Sequence, residues 1–391
     1  MSRVLVILFG VLLVFAGSSP PAAEEIVIGY LEMRPDARYG KKRTYAQYLS
    51  QPLGRPHGGA EVALSEIKFH GAAVGATFGL ERARGKDAKE LFEELEALYA
   101  EGSRFFLVDA PGDVLAELAE ATRGRDLILF NITARDDQLR QEQCHAHLLH
   151  IIPNYAMLMD ALVQYLVSRN WTDVLVLEGP SPEDAALAEA FQRSAQRFGA
   201  TIVDRRPFVL SNDPRERDQN NVRLLTTGDY DVVMVADVDG EFARDVPYQT
   251  VHPQVVVGTE GLSPAAWHWS WERHGAPQLE NRFEEEEDRP MRGFDWAAWM
   301  AVKAVAEAVQ RTESAAFEDL RDHLLSEDLI LDGFKGNRLN FRSWDHQLRQ
   351  PILLVTHNWV VERAPLDAFL HATNNMDTLG FDEHESRCSL Q

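Results

Sequence analysis

The stretch KDAKELFEELEALYAEGSRFFLVDAPGDVLAELAEATRGRDLILFNI, residues 86–132, decides the class of fold. Two of its segments, 86–102 and 111–124, carry apolar residues every three to four positions and end in glycine, which predicts amphipathic helices. Short apolar runs at 104–110 and 126–132 follow them and are typical of buried strands. Apolar strands that alternate with helices predict a parallel sheet covered on both faces.

The same alternation occurs twice along the chain. The run EIVIGYLE at 25–32 adds a strand to the first set, and a second set begins near residue 150. In the second set, helices are predicted at 155–170 and 182–199, and strands at 173–179, 200–210, 231–239 and 254–261. We therefore expect an α/β protein of two doubly wound lobes with parallel central sheets, hinged around a cleft.

The chain after the second set is too short for a third domain. Amphipathic helices are predicted at 294–312 and 314–328, and the stretch 337–365 alternates like a β-hairpin around a turn near Asp345. These elements are expected to return to the two lobes. The predicted division is 24–150 with about 290–328 for lobe 1, 151–289 with about 329–365 for lobe 2, and a C-terminal tail at 366–391.

The N-terminal residues 1–23 have the pattern of a secretory signal peptide. Arg3 precedes an apolar run from Val4 to Ala16, and small residues then lead to an expected cleavage site after Ala23. The run is too short to span a bilayer, which takes about 20 apolar residues. We expect a mature protein exported to the periplasm.

The net charge indicates which class of partner is excluded, and the cysteine content indicates whether a disulfide is expected. The formal net charge is −22, which argues against a nucleic-acid partner because phosphate neutralisation needs a basic surface. Only Cys144 and Cys388 occur. In an oxidising compartment we expect them to form one disulfide that pins the tail to the body, with two free thiols as the alternative.

Two segments carry residue types that bind metals. CHAHLLH at 144–150 is not accompanied by a second cluster at zinc-ligand spacing, and FEEEED at 283–288 is a contiguous acidic block, typical of a solvated loop. No metal is predicted. The sequence also has no phosphate-binding loop, nucleophile elbow or zinc-protease motif, so no catalytic residue is assigned.

The order of elements, with the helix at 294–312 as its clearest marker, resembles the type I periplasmic ligand-binding proteins of ABC transporters, the leucine/isoleucine/valine-binding class. The segments NITARDDQLRQEQC (131–144) and MRGFDWAAWMAVKAV (291–305) resemble a branch associated with PQQ-dependent alcohol dehydrogenase systems, PQQ being pyrroloquinoline quinone. The resemblance implies a clamp that closes on a small molecule and passes it to a membrane permease. It implies no enzymatic activity and no catalytic cofactor, and we expect a monomer.

Ligands of doubly wound sheets bind beyond the carboxyl ends of the strands, so the residues that follow strands are candidates for the site. In the first lobe the candidates are Arg34, Arg38, Tyr39, Asp109, Thr133 and Arg135. Arginine binds a carboxylate through paired hydrogen bonds and stacks on flat rings. With nearby tryptophans, these residues predict a pocket for an aromatic polycarboxylate such as PQQ. An ion pair is the alternative for each arginine, and Arg135 has Asp136 and Asp137 beside it.

The segment after the first strand, GYLEMRPDARYGKKRTY (29–45), departs from the amino-acid binders of the class. It is long, basic and aromatic where those proteins carry small hydroxyl and glycine loops, so a simple amino-acid ligand is not expected. Two alternatives remain. The protein could be a sensor or accessory protein of a PQQ-dependent alcohol-oxidation system, or it could bind an amino-acid-like or aromatic alcohol-derived ligand.

The segment GTEGLSPAAWHWSWERHG, 258–275, holds three of the eight tryptophans. Ser263, Pro264 and Gly275 have the positions of an N-cap, a first helical residue and a terminator, which predicts a helix. We expect Trp267 to contact the ligand, with Trp269 and Trp296 as further candidates. Core packing is the alternative for each, and it is favoured for Trp296, which shares a helix face with Trp299.

Overall fold

The computed structural model describes residues 24–40, 54–71, 74–211 and 213–390. The predicted signal peptide lies outside the described residues. In the part of the chain that is described, no helix is long and apolar enough to cross a membrane.

Lobe 1 is built around a sheet of five parallel strands. They are β1 (Glu24–Met33), β2 (Ala76–Gly85), β3 (Phe105–Asp109), β4 (Ile128–Asn131) and β5 (Leu148–His150), in the spatial order β2-β1-β3-β4-β5. β3 and β4 are buried along their whole length, which explains their uninterrupted apolar sequences. Because every pairing is parallel, the carboxyl ends of β1, β3 and β4 meet at one edge of the sheet.

Helices cover both faces of this sheet. On one face lie α2 (Ala88–Ala100) and α3 (Gly112–Ala121), where Leu91 and Leu115 share a core with Phe106. The other face is covered by α1 (His57–Glu66) and by α9 (Gly293–Thr312), the helix that returns late in the chain. The return of a helix at 294–312 to a lobe, predicted from its apolar period, is therefore observed.

Lobe 2 has a parallel sheet of four strands, β6 (Asp173–Glu178), β7 (Thr201–Pro207), β8 (Val232–Ala236) and β9 (Val255–Gly258), in the order β7-β6-β8-β9. Its helices are α4 (Tyr155–Ser168), α5 (Pro182–Phe198) and the short α6 (Val222–Leu225) and α7 (Val246–Gln249). Ser181 caps α5, and Gly199 ends it with φ of 86°. The predicted α/β fold of two lobes with parallel sheets is confirmed.

An antiparallel sheet of three strands completes lobe 2. It consists of β10 (Ser263–Ala265), β13 (Ile352–Thr356) and β14 (Trp359–Ala364), with β13 in the centre. The predicted turn near Asp345 is present: residues 343–345 form a turn, and Phe341 and Leu348 on either side of it form an antiparallel bridge. The backbone N–H of Arg342 donates across this turn to the carbonyl oxygen of Gln347. The regular hairpin of this stretch, β13 with β14, is a separate one that turns between Thr356 and Trp359.

The remaining elements pack on lobe 1. They are α8 (Ala276–Glu287), α10 (Phe317–Leu324) and a small hairpin of β11 (Leu331–Asp332) and β12 (Arg338–Leu339). Leu279 of α8 and Leu339 of β12 both belong to the core of α1 and α9. The chain therefore crosses between the lobes after β5, after β10 and before β13. The structure places residues 276–287 and the small hairpin with lobe 1, where the sequence assigned them to lobe 2.

The predicted helix over the tryptophan segment is also wrong. Pro264 lies in β10 opposite Leu354 of β13, so sheet pairing replaces the expected N-terminal turn. Gly275, expected to end a helix, instead precedes α8 with φ of 84°. The segment between β10 and α8 is irregular and crosses from lobe 2 to lobe 1.

The C-terminal tail is held against both lobes. A disulfide joins Cys144 to Cys388, with the sulfur atoms 2.08 Å apart, so the predicted pairing is present. In addition, Asp377 accepts hydrogen bonds from Arg342 and Arg349, and the N–H of Gly380 donates to Asp160 in α4. The tail thus stays docked through several contacts beside the covalent one.

Candidate functional site

The carboxyl ends of β1, β3 and β4 lie at one edge of the lobe 1 sheet, the edge at which a doubly wound sheet is expected to bind its ligand. Thr133 and Arg135 follow β4 directly, and Asp109 is the last residue of β3. Thr133 is buried and donates its hydroxyl to the carbonyl oxygen of Ala110, 3.2 Å away. This bond ties the loop after β4 to the loop after β3.

Arg135 is the cation of this edge that lacks a counter-charge. Among the described residues no ion pair joins it to an acid, and its buried Nε has no hydrogen-bond partner. The guanidinium carbon lies 5.0 Å from the centre of the Phe294 ring at the start of α9. Burial lowers the pKa of Arg135, and the Tyr155 hydroxyl opposes this effect.

The ion pairs proposed as the alternative for Arg135 are not formed. Asp137 turns instead to α4, where it accepts a hydrogen bond from the backbone N–H of Ala156 at 3.1 Å. Burial raises the pKa of Asp137 to about 6. The carbonyl oxygen of Arg135 accepts from the N–H of Tyr155, so the backbone of this loop is fixed on lobe 2 while its side chain keeps free donors.

The fold brings Asp109 together with Arg38 and Tyr39, but the polar groups of these side chains form hydrogen bonds with one another. Asp109 accepts hydrogen bonds from Tyr39 at 2.8 Å, from Arg38 at 3.0 Å, and from Arg55 at 3.2 Å. Burial raises the pKa of Asp109, and the charge of Arg38 opposes the rise. Arg38 is also paired with Asp36 through Nε and a terminal nitrogen. These residues therefore form a structural network at the carboxyl ends of β1 and β3.

Arg34 belongs to a second cluster that sequence reasoning missed. Its Nε lies 2.6 Å from Oε1 of the buried Glu32, and three further guanidinium groups contact the same carboxylate, those of Arg55, Arg82 and Arg84. We call these four arginines and Glu32 the arginine cluster. Burial by itself would raise the pKa of Glu32, but hydrogen bonds from Arg82 and Arg84 outweigh it, and the pKa is lowered.

The turns that follow strands β6 and β8 of lobe 2 are also polar. The Asp184 carboxylate accepts from the N–H groups of Ser181 and Val238, at 3.0 and 2.7 Å. Asp237, at the end of β8, accepts from the N–H groups of Phe242 and Ala243. Burial raises the pKa of Asp237, and those two bonds oppose the rise. These carboxylates hold the turns of lobe 2 in place.

The tryptophans do not form a wall along the cleft. Trp267 and Trp296 stack at 6.5 Å between ring centres inside the core of lobe 1. Their indole N–H groups donate to Glu280 and to the carbonyl oxygen of Gly333. Trp269 is 45% exposed and stacks on His268. Trp267 and Trp296, expected to contact a ligand, are enclosed, because the segment after β10 runs into lobe 1 rather than along the cleft.

The histidines of the 144–150 segment serve as core residues. His147 shares a hydrogen bond of 2.9 Å with the hydroxyl of Thr122, and His150 shares one of 3.0 Å with the amide of Asn131. Within the described ranges, no group of three or more histidine, cysteine, aspartate or glutamate side chains is arranged to hold a metal ion.

Comparison with known proteins agrees with this architecture. A family model described as a periplasmic binding protein matches residues 59–216. A branched-chain amino acid ABC transporter ligand-binding protein from Burkholderia xenovorans superposes with a TM-score of 0.72 at 12% identity, over 93% of this chain and 99% of that one. No curated protein sequence matches.

Two of the similar solved structures that contain ligands differ in the class of ligand. One is a branched-chain amino acid binding protein from Streptococcus pneumoniae in complex with isoleucine, with a TM-score of 0.64 at 16% identity, over 87% of this chain and 99% of that one. The other is a solute-binding protein from R. palustris in complex with benzoate, with a TM-score of 0.65 at 12% identity, over 94% of this chain and 100% of that one. At these identities the likeness establishes the shared two-lobed fold.

Proposed function

We propose that this chain, which has the fold of the type I periplasmic binding proteins, is the solute-binding component of an ABC transporter and captures a small aromatic carboxylate in the periplasm. The observation that carries the proposal is Arg135, a largely enclosed guanidinium without an acidic partner at the carboxyl end of β4. An unpaired cation in such a place is costly unless an anion joins it.

The surroundings of Arg135 favour an aromatic acid over an aliphatic one. Its guanidinium already lies over the Phe294 ring, so an aryl carboxylate could pair with the cation and pack its ring beside Phe294. The hydroxyl of the buried Thr133 already donates to the carbonyl oxygen of Ala110, so the donors to the carboxylate come from Arg135. The solved structure in complex with benzoate is an example of an aromatic acid bound by a protein of this fold.

PQQ is the finer proposal within this class. It is a flat tricyclic quinone with three carboxylates, and both the planar partner and the cations that it needs are available on lobe 1. A permease in the membrane is the proposed recipient of the ligand. Closure of the two lobes over the ligand is the proposed step that precedes its delivery to the permease. Neither step requires a bond to be broken, so no enzymatic turnover is proposed.

The test is a calorimetric titration of the mature protein, residues 24–391, with benzoate, PQQ and isoleucine. Saturable binding of benzoate or PQQ at one site per chain, and weaker or no binding of isoleucine, supports the proposal. Tighter binding of isoleucine than of either aromatic acid would replace the ligand class with amino acids. No heat with any of the three would favour a sensor or accessory role through protein contacts.

A further inference from the structure

The arginine cluster places four guanidinium groups around one buried carboxylate. Glu32 lies opposite Arg84 in the register of β1 and β2, and Tyr30 lies opposite Arg82, so Arg82 and Arg84 share the face of Glu32. Arg34 follows β1, and Arg55 precedes α1. The side chains of Arg34 and Arg84 are 45% and 53% exposed, whereas that of Glu32 is enclosed.

Within the groups that are directly paired in this arrangement, guanidinium groups outnumber carboxylates. With the adjoining Arg38, five arginines face three carboxylates, those of Glu32, Asp36 and Asp109. The next acids contact other groups first, Glu61 the ring of His57 and Glu287 the guanidinium of Arg289. The stretch 41–53 contains no acidic residue that could add a counter-charge. In a chain of net charge −22, a local surplus of cations indicates a binding role.

The donors needed for a second anion are present. Arg34 and Arg84 both approach Oε1 of Glu32 through Nε, at 2.6 and 2.8 Å. Among the described residues, the terminal nitrogens of these two guanidinium groups have no acceptor. Those nitrogens are the fork that binds a carboxylate in the paired, end-on geometry. Glu32 fixes the forks in place, which lowers the entropy lost when an anion binds.

We infer that the arginine cluster is a second anion subsite, which binds the outer carboxylates of an aromatic polycarboxylate whose first carboxylate pairs with Arg135. This inference rests on the proposed function. β1 and β4 are separated only by β3, and neighbouring strands lie about 4.8 Å apart, so the ends of β1 and β4 are roughly 10 Å from each other. A rigid aromatic acid with carboxylates on opposite edges can bridge such a gap.

The test compares a monocarboxylate with a polycarboxylate of the same ring. Benzoate and benzene-1,3,5-tricarboxylate are titrated by calorimetry at one fixed ionic strength into the wild-type protein, the double variant Arg34→Gln/Arg84→Gln and a matched control, Arg311→Gln. Arg311 is exposed and lies at the far end of α9 from Phe294, and its one ion pair within the described ranges is with Glu307, one turn away. Thermal unfolding of each variant verifies that the fold is kept.

The wild-type protein is expected to bind the tricarboxylate at least about tenfold more tightly than benzoate. The double variant should lose about tenfold or more for the tricarboxylate and keep its benzoate affinity within about twofold, and the control should match the wild type. If the double variant loses affinity equally for both acids, or keeps its tricarboxylate affinity, the second subsite is overturned. Benzoate binding by the wild type would still support the proposed function in that case. Binding of neither acid by the wild type would overturn both.

Discussion

The guanidinium group of Arg135 lies 5.0 Å from the centre of the Phe294 ring, and its Nε has no hydrogen-bond partner among the described residues. Arg135 follows β4 of the first sheet, whereas Phe294 begins the helix that returns to this lobe much later in the chain. The pair therefore exists only in the folded protein. It places an aromatic ring beside a cation that has no acidic partner among the described residues, at the carboxyl end of β4.

Replacing Arg135 by glutamine should weaken binding of benzoate by about tenfold to a hundredfold, because a charge-assisted hydrogen bond contributes about 1.5–3 kcal/mol. The free energy of unfolding should stay equal or rise, since a poorly compensated buried charge is removed. Calorimetric titration and urea unfolding measure the two effects. The control is Arg321→Gln, a half-buried arginine of α10 that is paired with Asp322. Unchanged affinity in Arg135→Gln would remove this residue from the site.

Replacing Trp267 by phenylalanine should change stability and leave ligand affinity unchanged. Trp267 stacks on Trp296 in the core and donates its indole N–H to Glu280, which is also buried. Loss of that bond should lower the free energy of unfolding by about 1–3 kcal/mol. Chemical denaturation gives the first quantity and titration the second. A large loss of ligand affinity with an unchanged free energy of unfolding would show that Trp267 contacts the ligand.

Acid should destabilise the protein through its buried histidines. Burial lowers the pKa of His346 and of His147 to about 4, so both stay neutral in the folded state. In the unfolded chain the pKa is about 6.5, so between pH 6.5 and 4 the unfolded state binds the additional proton. Their contribution to stability is therefore complete above pH 6.5 and decreases as the pH falls, by roughly 1.4 kcal/mol per pH unit and histidine.

The variant His346→Asn isolates one of these contributions. His346 has φ of 51°, a conformation that asparagine tolerates. Urea unfolding at pH 7 and pH 4.5 should show that the wild type loses roughly 2–3 kcal/mol more than the variant between the two values. Equal losses in both proteins would mean that His346 takes up its proton without unfolding.

The disulfide should contribute stability but no ligand contact. Cys144 and Cys388 close a loop with a sequence separation of 244 residues, and removal of a native disulfide typically costs about 2–5 kcal/mol. The double variant Cys144→Ser/Cys388→Ser should unfold at lower urea concentration with unchanged affinity. The tail should remain docked, because Arg342 and Arg349 still hold Asp377. Protease cleavage within 366–391 in the folded variant would contradict that expectation.

The sequence predicts the lobes well because their elements depend on local patterns. The period of apolar residues predicts α9 at 294–312, and the structure has it at Gly293–Thr312. The edge strand β2 was missed, since ATFGLERARG alternates charged residues and becomes a strand by pairing with β1. The helix expected over the tryptophan segment failed for a similar reason, because Pro264 pairs with Leu354 far along the chain.

Prediction of the site residues was limited in the same way, by contacts between distant parts of the chain. The loops after strands were predicted from topology, and Arg135, Thr133 and Asp109 do lie at one edge of the sheet. Which arginines have partners could not be predicted, because Glu32 and Arg82 or Arg84 come from different strands. The position of Phe294 beside Arg135 could not be predicted from the sequence either, since it depends on the path of the chain between the lobes.

The most direct test is a crystal structure of the mature protein grown with the aromatic carboxylate that binds most tightly in the titrations. We predict density for the acid between the lobes, with a carboxylate oxygen about 2.7–2.9 Å from a guanidinium nitrogen of Arg135. Density for the acid elsewhere, with Arg135 still lying over Phe294 and without an anion, would contradict the proposed site.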